Sequence, residues 1–127
     1  MAGEGPLRGL LTALENVTTP LLAVTTVDMP GVSRLQLSWL VDELERRPRA
    51  LGVICRHAKQ IEPFPSIFRA QAIDTVRARL ESGRTSVYGL SDQLGFEVAD
   101  APADWSDSVW MNLNSPADLL TFLNRRV

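Results

Sequence analysis

The chain has 127 residues, 45% of them hydrophobic and 22% charged, with a formal net charge of −2. These values are typical of one globular domain, and they lack the basic excess of a nucleic-acid-binding protein. No apolar run reaches the roughly 18 residues of a membrane-spanning helix, and MAGEGPLRG does not have the charge order of a secretory signal. The single cysteine, Cys55, excludes an internal disulfide. We therefore expect a cytoplasmic protein without nucleic-acid or membrane partners.

An amphipathic helix and a buried strand come first in the chain. Gly5-Pro6 begins the helix, because proline fits the first helical position. Leu7, Leu10, Leu11 and Leu14 follow at helical spacing and form one apolar face. The run LLAVTTVDMP, residues 21–30, then has the pattern of a strand buried on both faces in a parallel sheet.

Asp28 lies where this strand leaves the sheet, and ligands of open α/β sheets bind at the carboxyl ends of strands. A carboxylate there offers oxygen to a divalent metal or to a ligand hydroxyl. An aspartate before Met-Pro also caps turns. The spacing by itself leaves both roles open.

The next segment predicts a second helix and a second strand. Ser33 and Gln36 form a capping-box pattern, and Pro48 ends the helix. Residues 51–55 predict the strand. Residues 56–65 are polar and contain two prolines, so we expect a loop there.

The rest of the chain continues to alternate. A brief extended segment at 66–68 leads into a third helix that ends at Gly83. A short helix over 86–94, strands over 96–98 and 109–113, and a final helix after Ser115-Pro116 complete the prediction. This order predicts an α/β sandwich with a mostly parallel sheet.

Four segments carry a resemblance to a known family. GEGPLRGLLTALE, LLAVTTVDMP, EPFPSIFR and VWMNLNSPADL occur in an order and spacing that resemble the molybdenum cofactor guanylyltransferases, a MobA-like nucleotidyltransferase family. The resemblance implies a Rossmann-like three-layer fold. It also implies Mg²⁺-dependent transfer of GMP from GTP to the phosphate of molybdopterin, with release of pyrophosphate.

The resemblance also implies roles for individual residues. Asp28 matches the metal-binding catalytic aspartate, and Gly5, Pro6 and Leu7 match a segment beside the nucleotide. Asn112 and Asn114, which alternate on the predicted last strand, match two substrate-binding asparagines. Arg8 departs from the family pattern, which more often has a small residue there.

The family also opens with a strand and a Leu-Ala-Gly-Gly loop followed by basic residues, and residues 1–127 do not contain these. We therefore expect one MobA-like domain over 1–127 that lacks its first βα unit. The sheet edge left open is expected to self-associate or to pair with the missing N-terminal segment.

Three alternatives stay open. The first alternative is a non-catalytic nucleotidyltransferase-like fragment that acts by binding a partner. The second is a relative of the family that uses CTP. A phosphoacceptor signalling module is the third, although the only lysine, Lys59, falls in the predicted loop.

The remaining polar and aromatic residues receive structural interpretations. His57 is expected in a loop, and Cys55 as a small buried side chain. The tryptophans are too scattered in sequence for a stacking platform and are expected to pack or to contact a partner: Trp39, Trp105 and Trp110. Four arginines could include a phosphate contact, but most of them should lie on a solvated helix face. They are Arg69, Arg77, Arg79 and Arg84.

Overall fold

A four-stranded sheet with helices on both faces forms the described part of the chain. The computed structural model describes residues 5–26 and 28–111. In chain order the elements are α1 (Gly5–Asn16), β1 (Leu21–Val24), α2 (Arg34–Glu45), β2 (Gly52–His57), β3 (Gln60–Arg69), α3 (Ile73–Glu81) and β4 (Phe96–Asp100). Short 3₁₀ helices lie at Ala70–Ala72, Tyr88–Asp92 and Asp107–Trp110.

The strand order is β1-β3-β2-β4. β3 pairs antiparallel with β1 and with β2, whereas β2 and β4 are parallel. β1, β2 and β4 therefore run in one direction and only β3 runs against them. The predicted α/β sandwich is confirmed, although the sheet is partly antiparallel, since two of its three pairings involve β3. The prediction that the first strand is buried on both faces in a parallel sheet is wrong, because β1 is an edge strand that pairs antiparallel and has no fully buried residue.

The prediction of a loop over residues 56–65 is wrong, because most of these residues belong to two strands. β2 continues to His57, and β3 returns from Gln60 after a two-residue turn at Ala58 and Lys59. Both turn residues have positive φ, 51° and 69°, as a type I′ hairpin turn requires. The two prolines in β3 suggested a loop, yet they lie where β3 loses its register with β2.

The first three predicted helices are confirmed, and their ends follow local signals. Ser33 caps α2, and the reciprocal Ser33–Gln36 capping box is present. Gly83 follows α3 with φ of 89°, the left-handed conformation that favours glycine.

Two later predictions change. The helix expected over 86–94 is only a 3₁₀ turn, Tyr88–Asp92. The strand expected over 109–113 is replaced, as far as Trp110, by the 3₁₀ helix Asp107–Trp110. Met111 follows this turn as its C-cap, and the rest of that strand and the final helix lie outside the described residues.

Two apolar cores hold the layers together, one on each face of the sheet. The first joins α1 and α3 to the sheet and includes Leu7, Leu10, Leu11, Leu14, Ile54, Phe68 and Val76. The second lies under α2 and includes Leu40, Leu44, Val53, Cys55, Ile67 and Ala99.

In the described part of the chain, no helix has both the length and the apolar character to cross a membrane.

Candidate functional site

The carboxyl ends of β1, β2 and β4 share one edge of the sheet, because these strands run in the same direction. Asp28 follows β1 at this edge. The Thr26 hydroxyl donates a hydrogen bond to Asp28 Oδ1, and the Met29 N–H donates to the Thr26 carbonyl at 3.2 Å. The carboxylate is thus oriented by the turn it belongs to. It retains a second oxygen, Oδ2, for a ligand.

A cavity of about 220 Å³ lies beside Asp28. It is lined by Thr26, Asp28, Met29, Glu62, Pro63, Phe64 and Trp110. The cavity therefore combines two acidic residues, one threonine and apolar or aromatic walls.

A register shift places the Glu62 segment at this cavity. Ile54 pairs with Ser66, whereas the next β2 residue, Cys55, pairs with Glu62. The intervening β3 residues, 63–65, consequently have no partner on β2. Proline suits such a position because it has no N–H to pair, and Pro63 and Pro65 occupy it.

The three tryptophans lie together although they are far apart in sequence, so the prediction that they pack is confirmed. Trp39 and Trp105 meet edge to face with ring centroids 5.0 Å apart. Trp105 and Trp110 are 5.9 Å apart, and Trp110 stacks on His57 at 4.5 Å with an interplanar angle of 15°. His57 is accordingly the last residue of β2 and part of an aromatic row, not a loop residue.

Burial raises the pKa of two groups near the site, Glu62 and Cys55. Burial raises the pKa of Glu62, and the neighbouring His57 lowers it by a smaller amount. Burial, with smaller effects from the charges of Glu62 and Glu43, raises the pKa of the Cys55 thiol to about 12. The thiol is therefore neutral at physiological pH and is not a nucleophile, as expected for a buried structural cysteine.

The donor set at the cavity fits a magnesium ion that is held mainly by its substrate. Among residues 5–26 and 28–111, no group of three or more His, Cys, Asp and Glu side chains forms a metal site. Mg²⁺ commonly uses only one or two protein carboxylates and completes its shell with phosphate oxygens and water. Asp28, with Glu62 lining the same cavity, satisfies that requirement.

The residues expected beside the nucleotide form the first turn of α1. Pro6 is exposed, whereas the Leu7 side chain is fully buried in the first core. The Leu7 N–H donates to the Thr85 carbonyl at 3.0 Å. Neither Pro6 nor Leu7 lines the Asp28 cavity. The nucleotide role of Gly5, Pro6 and Leu7 stays a prediction. Asn112 and Asn114 lie outside the described residues.

Three of the four arginines have structural contacts. Arg69 donates to the Leu44 carbonyl at the end of α2 and to the Ala50 carbonyl in the connection to β2, each at 2.9 Å. Arg77 pairs with Glu15 and Asp74 across α1 and α3. Arg79 donates to Gln93 at 2.9 Å. None of the four lines the Asp28 cavity.

A family model for the MobA-like NTP transferase domain matches residues 1–95, well over half of the chain. The chain belongs to this family. The resemblance noted from the four sequence segments is thereby confirmed.

Two relatives of the MobA-like chain are each named probable molybdenum cofactor guanylyltransferase. The protein from Opitutus terrae is 30% identical over 125 residues, covering 91% of this chain and 59% of the relative. The protein from Peptoclostridium acidaminophilum is 26% identical over 127 residues, covering 92% of this chain and 57% of the relative. The chain thus spans less than two thirds of the length of either relative.

Two solved structures share the fold. Molybdopterin-guanine dinucleotide biosynthesis protein A from Archaeoglobus fulgidus aligns with a TM-score of 0.79 at 21% identity, covering 97% of this chain and 64% of that protein. A putative protein from Aquifex aeolicus aligns with a TM-score of 0.72 at 14% identity, covering 87% and 57%. At these identities the likeness shows the MobA-like fold alone.

Sequence reasoning gave no role to Glu62 and missed the stacking of Trp110. The segment EPFPSIFR contributed to the family resemblance, but nothing in its pattern indicated that Glu62 faces the same cavity as Asp28. The signal for the hairpin was weak because Ala58-Lys59 is not one of the glycine-containing pairs that mark such turns.

Proposed function

We propose that this MobA-like chain supplies the metal-binding part of a guanylyltransferase that transfers GMP from GTP to the phosphate of molybdopterin. The observation that carries the proposal is Asp28 at the carboxyl end of β1, on a cavity, in a chain that matches the NTP transferase family. The names of the two relatives support GTP and the molybdenum cofactor as the substrate classes. A cytoplasmic location stays a prediction.

The reaction needs little covalent help from the protein. An oxygen of the acceptor phosphate forms a bond to the α-phosphorus of GTP, and the bond from that phosphorus to the bridging oxygen of the β-phosphate breaks. Pyrophosphate carries that bridging oxygen away. The protein contributes mainly by aligning the two phosphates and by stabilising the charge that develops on the leaving group.

Asp28 is the residue we assign to the metal. Mg²⁺ supplies charge neutralisation and a template for the phosphate oxygens. The Thr26 hydroxyl fixes one oxygen of the carboxylate and so limits the orientations available to the other. This restriction reduces the conformational freedom that metal binding must remove.

The first test compares Asp28→Asn with Asp42→Asn in a pyrophosphate-release assay with GTP, Mg²⁺ and molybdopterin. Asp42 is an exposed acid on α2, so its substitution serves as a control with the same chemistry. We expect Asp28→Asn to lower kcat/KM by roughly 10²–10³, the effect of losing one group that stabilises developing charge. Asp42→Asn should match the parent. Equal activity of the two variants would contradict the assignment.

The assay needs a protein with a triphosphate-binding loop. Residues 1–127 contain no Leu-Ala-Gly-Gly segment, so we expect this polypeptide by itself to bind Mg²⁺-GTP weakly and to turn over slowly. A chimera carrying the part of the Opitutus terrae relative outside the matched region provides the active background. The same assay with CTP in place of GTP tests the alternative that the protein transfers CMP instead of GMP.

The 127-residue polypeptide also tests the non-catalytic alternative. If it binds molybdopterin but the chimera releases no pyrophosphate, the chain is a binding module and the transfer proposal is wrong. Release of pyrophosphate by the chimera, lost in Asp28→Asn, supports catalysis.

A further inference from the structure

Two arginines are brought together where α3 ends. Gly83 has φ of 89°, and this left-handed residue turns the chain back over the last turn of the helix. The Gly83 N–H donates to the Leu80 carbonyl at 3.0 Å, and the Arg84 N–H donates to the Arg79 carbonyl at 3.0 Å. These two hydrogen bonds are those of a Schellman motif, which brings the residues at the Arg79 and Arg84 positions close to each other.

The side chains at these two positions are unusual for the motif. A Schellman motif is frequently accompanied by a hydrophobic contact between them. Here both positions carry a positive charge, so the contact is replaced by repulsion between Arg79 and Arg84. Proteins tend to break a local rule of this kind at functional sites. The pair therefore indicates a ligand of opposite charge, if the chain itself does not neutralise it.

The described part of the chain leaves the pair without a carboxylate partner. Neither arginine forms an ion pair there, and Asp74, which lies nearby, is paired with Arg77 at 3.3 Å. A cation in the last turn of a helix is ordinarily stabilised by the helix dipole. Burial and, to a smaller extent, Arg84 nevertheless lower the pKa of Arg79, while Asp92 opposes them more weakly. Positive charge is therefore in excess at this point of the surface.

A surface pocket of about 390 Å³ lies beside the pair and is lined by both arginines, Thr75 and Gln93. Gln93 Oε1 accepts from Arg79 Nη1 at 2.9 Å, so the Gln93 amide nitrogen is left as a donor. Thr75 adds a hydroxyl. Arg79 Nε is buried, so its terminal nitrogens are the ones that can meet a ligand. The Ser82 hydroxyl is already used, because it donates to the Arg79 carbonyl at 2.7 Å.

We propose that Arg79, Arg84 and Gln93 form a binding site for a phosphate-class anion. Guanidinium groups present several N–H donors in a fixed geometry that matches phosphate oxygens, and hydrogen bonds between charged groups are the strong ones. The bound anion neutralises both arginines, and the Gln93 amide donates to a further oxygen. The site shares no lining residue with the Asp28 cavity, so its occupation does not depend on the transfer reaction.

The first measurement is calorimetric titration of the 127-residue chain with sodium orthophosphate, using sodium chloride at matched ionic strength as the control. We expect a Kd below about 1 mM and weaker binding as potassium chloride is added, because exposed charges are screened. The chain has a formal net charge of −2, so a general attraction for anions would not produce this result. Orthophosphate that does not bind, or binds no better than chloride, would overturn the proposal.

Glycerol 2-phosphate, titrated in parallel, distinguishes the source of the phosphate. Binding as tight as that of orthophosphate assigns the site to a phosphate group carried by a larger molecule, since one oxygen is then free to be an ester. Binding of orthophosphate alone assigns the site to the free ion. Both results support a phosphate site.

Two variants remove one charge each. Arg84→Gln and Arg79→Gln should each weaken orthophosphate binding by roughly tenfold or more, the effect of losing a hydrogen bond between charged groups. Arg84 is exposed and has no side-chain partner in the described part of the chain, so its substitution should leave the fold intact. The matched control is Arg34→Gln, which removes the same charge from an exposed residue of α2, on the other face of the sheet.

Gln93→Glu fills the site from within. A carboxylate at this position replaces the oxygen that accepts from Arg79 and supplies the missing negative charge. We expect this variant to bind no orthophosphate at concentrations that saturate the parent, and to unfold at a temperature no lower than the parent.

Thermal unfolding checks the fold of each variant. If Arg79→Gln unfolds, Arg84→Gln and Gln93→Glu decide the result. The proposal is overturned if Arg84→Gln binds orthophosphate as the parent does, or if Arg34→Gln loses as much binding as Arg84→Gln.

Discussion

Gly31 lies directly against the backbone of the 3₁₀ helix Asp107–Trp110. A Cβ atom at this position would lie 2.0 Å from the Ser108 carbonyl oxygen and 3.0 Å from the Val109 nitrogen. The turn that carries Asp28 thus touches the backbone of the 3₁₀ helix that carries Trp110. A side chain at residue 31 would force the two segments apart.

Gly31→Ala is therefore expected to lower the free energy of unfolding by about 1–3 kcal/mol, the usual cost of an overpacked contact. It should also change the tryptophan fluorescence, because Trp110 moves relative to His57. Chemical denaturation followed by fluorescence measures both effects.

The matched control is Gly9→Ala. Gly9 lies within α1, and an added Cβ would meet no atom within 4 Å. Alanine there should raise stability by roughly 0.5–1 kcal/mol, because glycine is unfavourable in a helix interior. A Gly31→Ala protein as stable as the parent would show that the two segments do not depend on this contact.

At the scale of elements, α2 depends on its N-terminal cap. The Ser33 hydroxyl accepts from the Leu35 N–H at 3.3 Å, and the Ser33 N–H donates to Gln36 Oε1 at 2.8 Å. Ser33→Ala removes the side-chain half of the capping box. We expect a loss of about 1 kcal/mol.

Ser38→Ala provides the comparison within the same helix. Ser38 is exposed and lies in the interior of α2, where alanine is the better helix former by at most about 0.5 kcal/mol. Thermal unfolding should place Ser33→Ala below the parent and Ser38→Ala level with it or slightly above. If both variants melted together, the cap would contribute nothing measurable.

The elements that could be predicted from sequence are those that depend on neighbouring residues. The leucine spacing of α1, the Ser33–Gln36 cap and the glycine after α3 are all local signals, and each helix follows them. β3 could not be predicted in full, because its prolines are tolerated only by a register shift against β2, which lies elsewhere in the chain.

The same distinction applies to the candidate site. Asp28 could be predicted because a strand-end carboxylate is visible in a single segment. Glu62 and Trp110 join it only through the β2–β3 hairpin and the packing of residues 107–110 near Asp28, and neither is encoded locally. Arg69 shows the reverse case, since a candidate phosphate ligand instead donates to backbone carbonyls of α2 and of the connection from α2 to β2.

For the whole molecule, the two edges of the sheet differ in charge. β4 carries Glu97 and Asp100, which pair with Arg47 and Arg56. Such charged side chains protect a sheet edge from pairing with another chain. β1, with the sequence LLAV, has no charged residue.

β1 is also bonded on one side only in the described residues, since it is the outer strand and pairs with β3. Its backbone groups and apolar side chains make it the favoured site for self-association. Size-exclusion chromatography with light scattering should show a mass that rises with concentration.

Ala23→Lys tests this prediction at its centre, because Ala23 is exposed on β1. Antiparallel pairing of two copies through β1 would bring two lysines close together and bury part of their charge. Since 1.4 kcal/mol is a factor of ten, even a modest repulsion should weaken self-association by roughly tenfold or more. Ala103→Lys adds the same charge on an exposed loop residue and should leave the association unchanged.

A parent protein that stays monomeric at every concentration, without binding dyes that report exposed apolar surface, would refute the role of β1. Association that survives Ala23→Lys would transfer the interface to another surface.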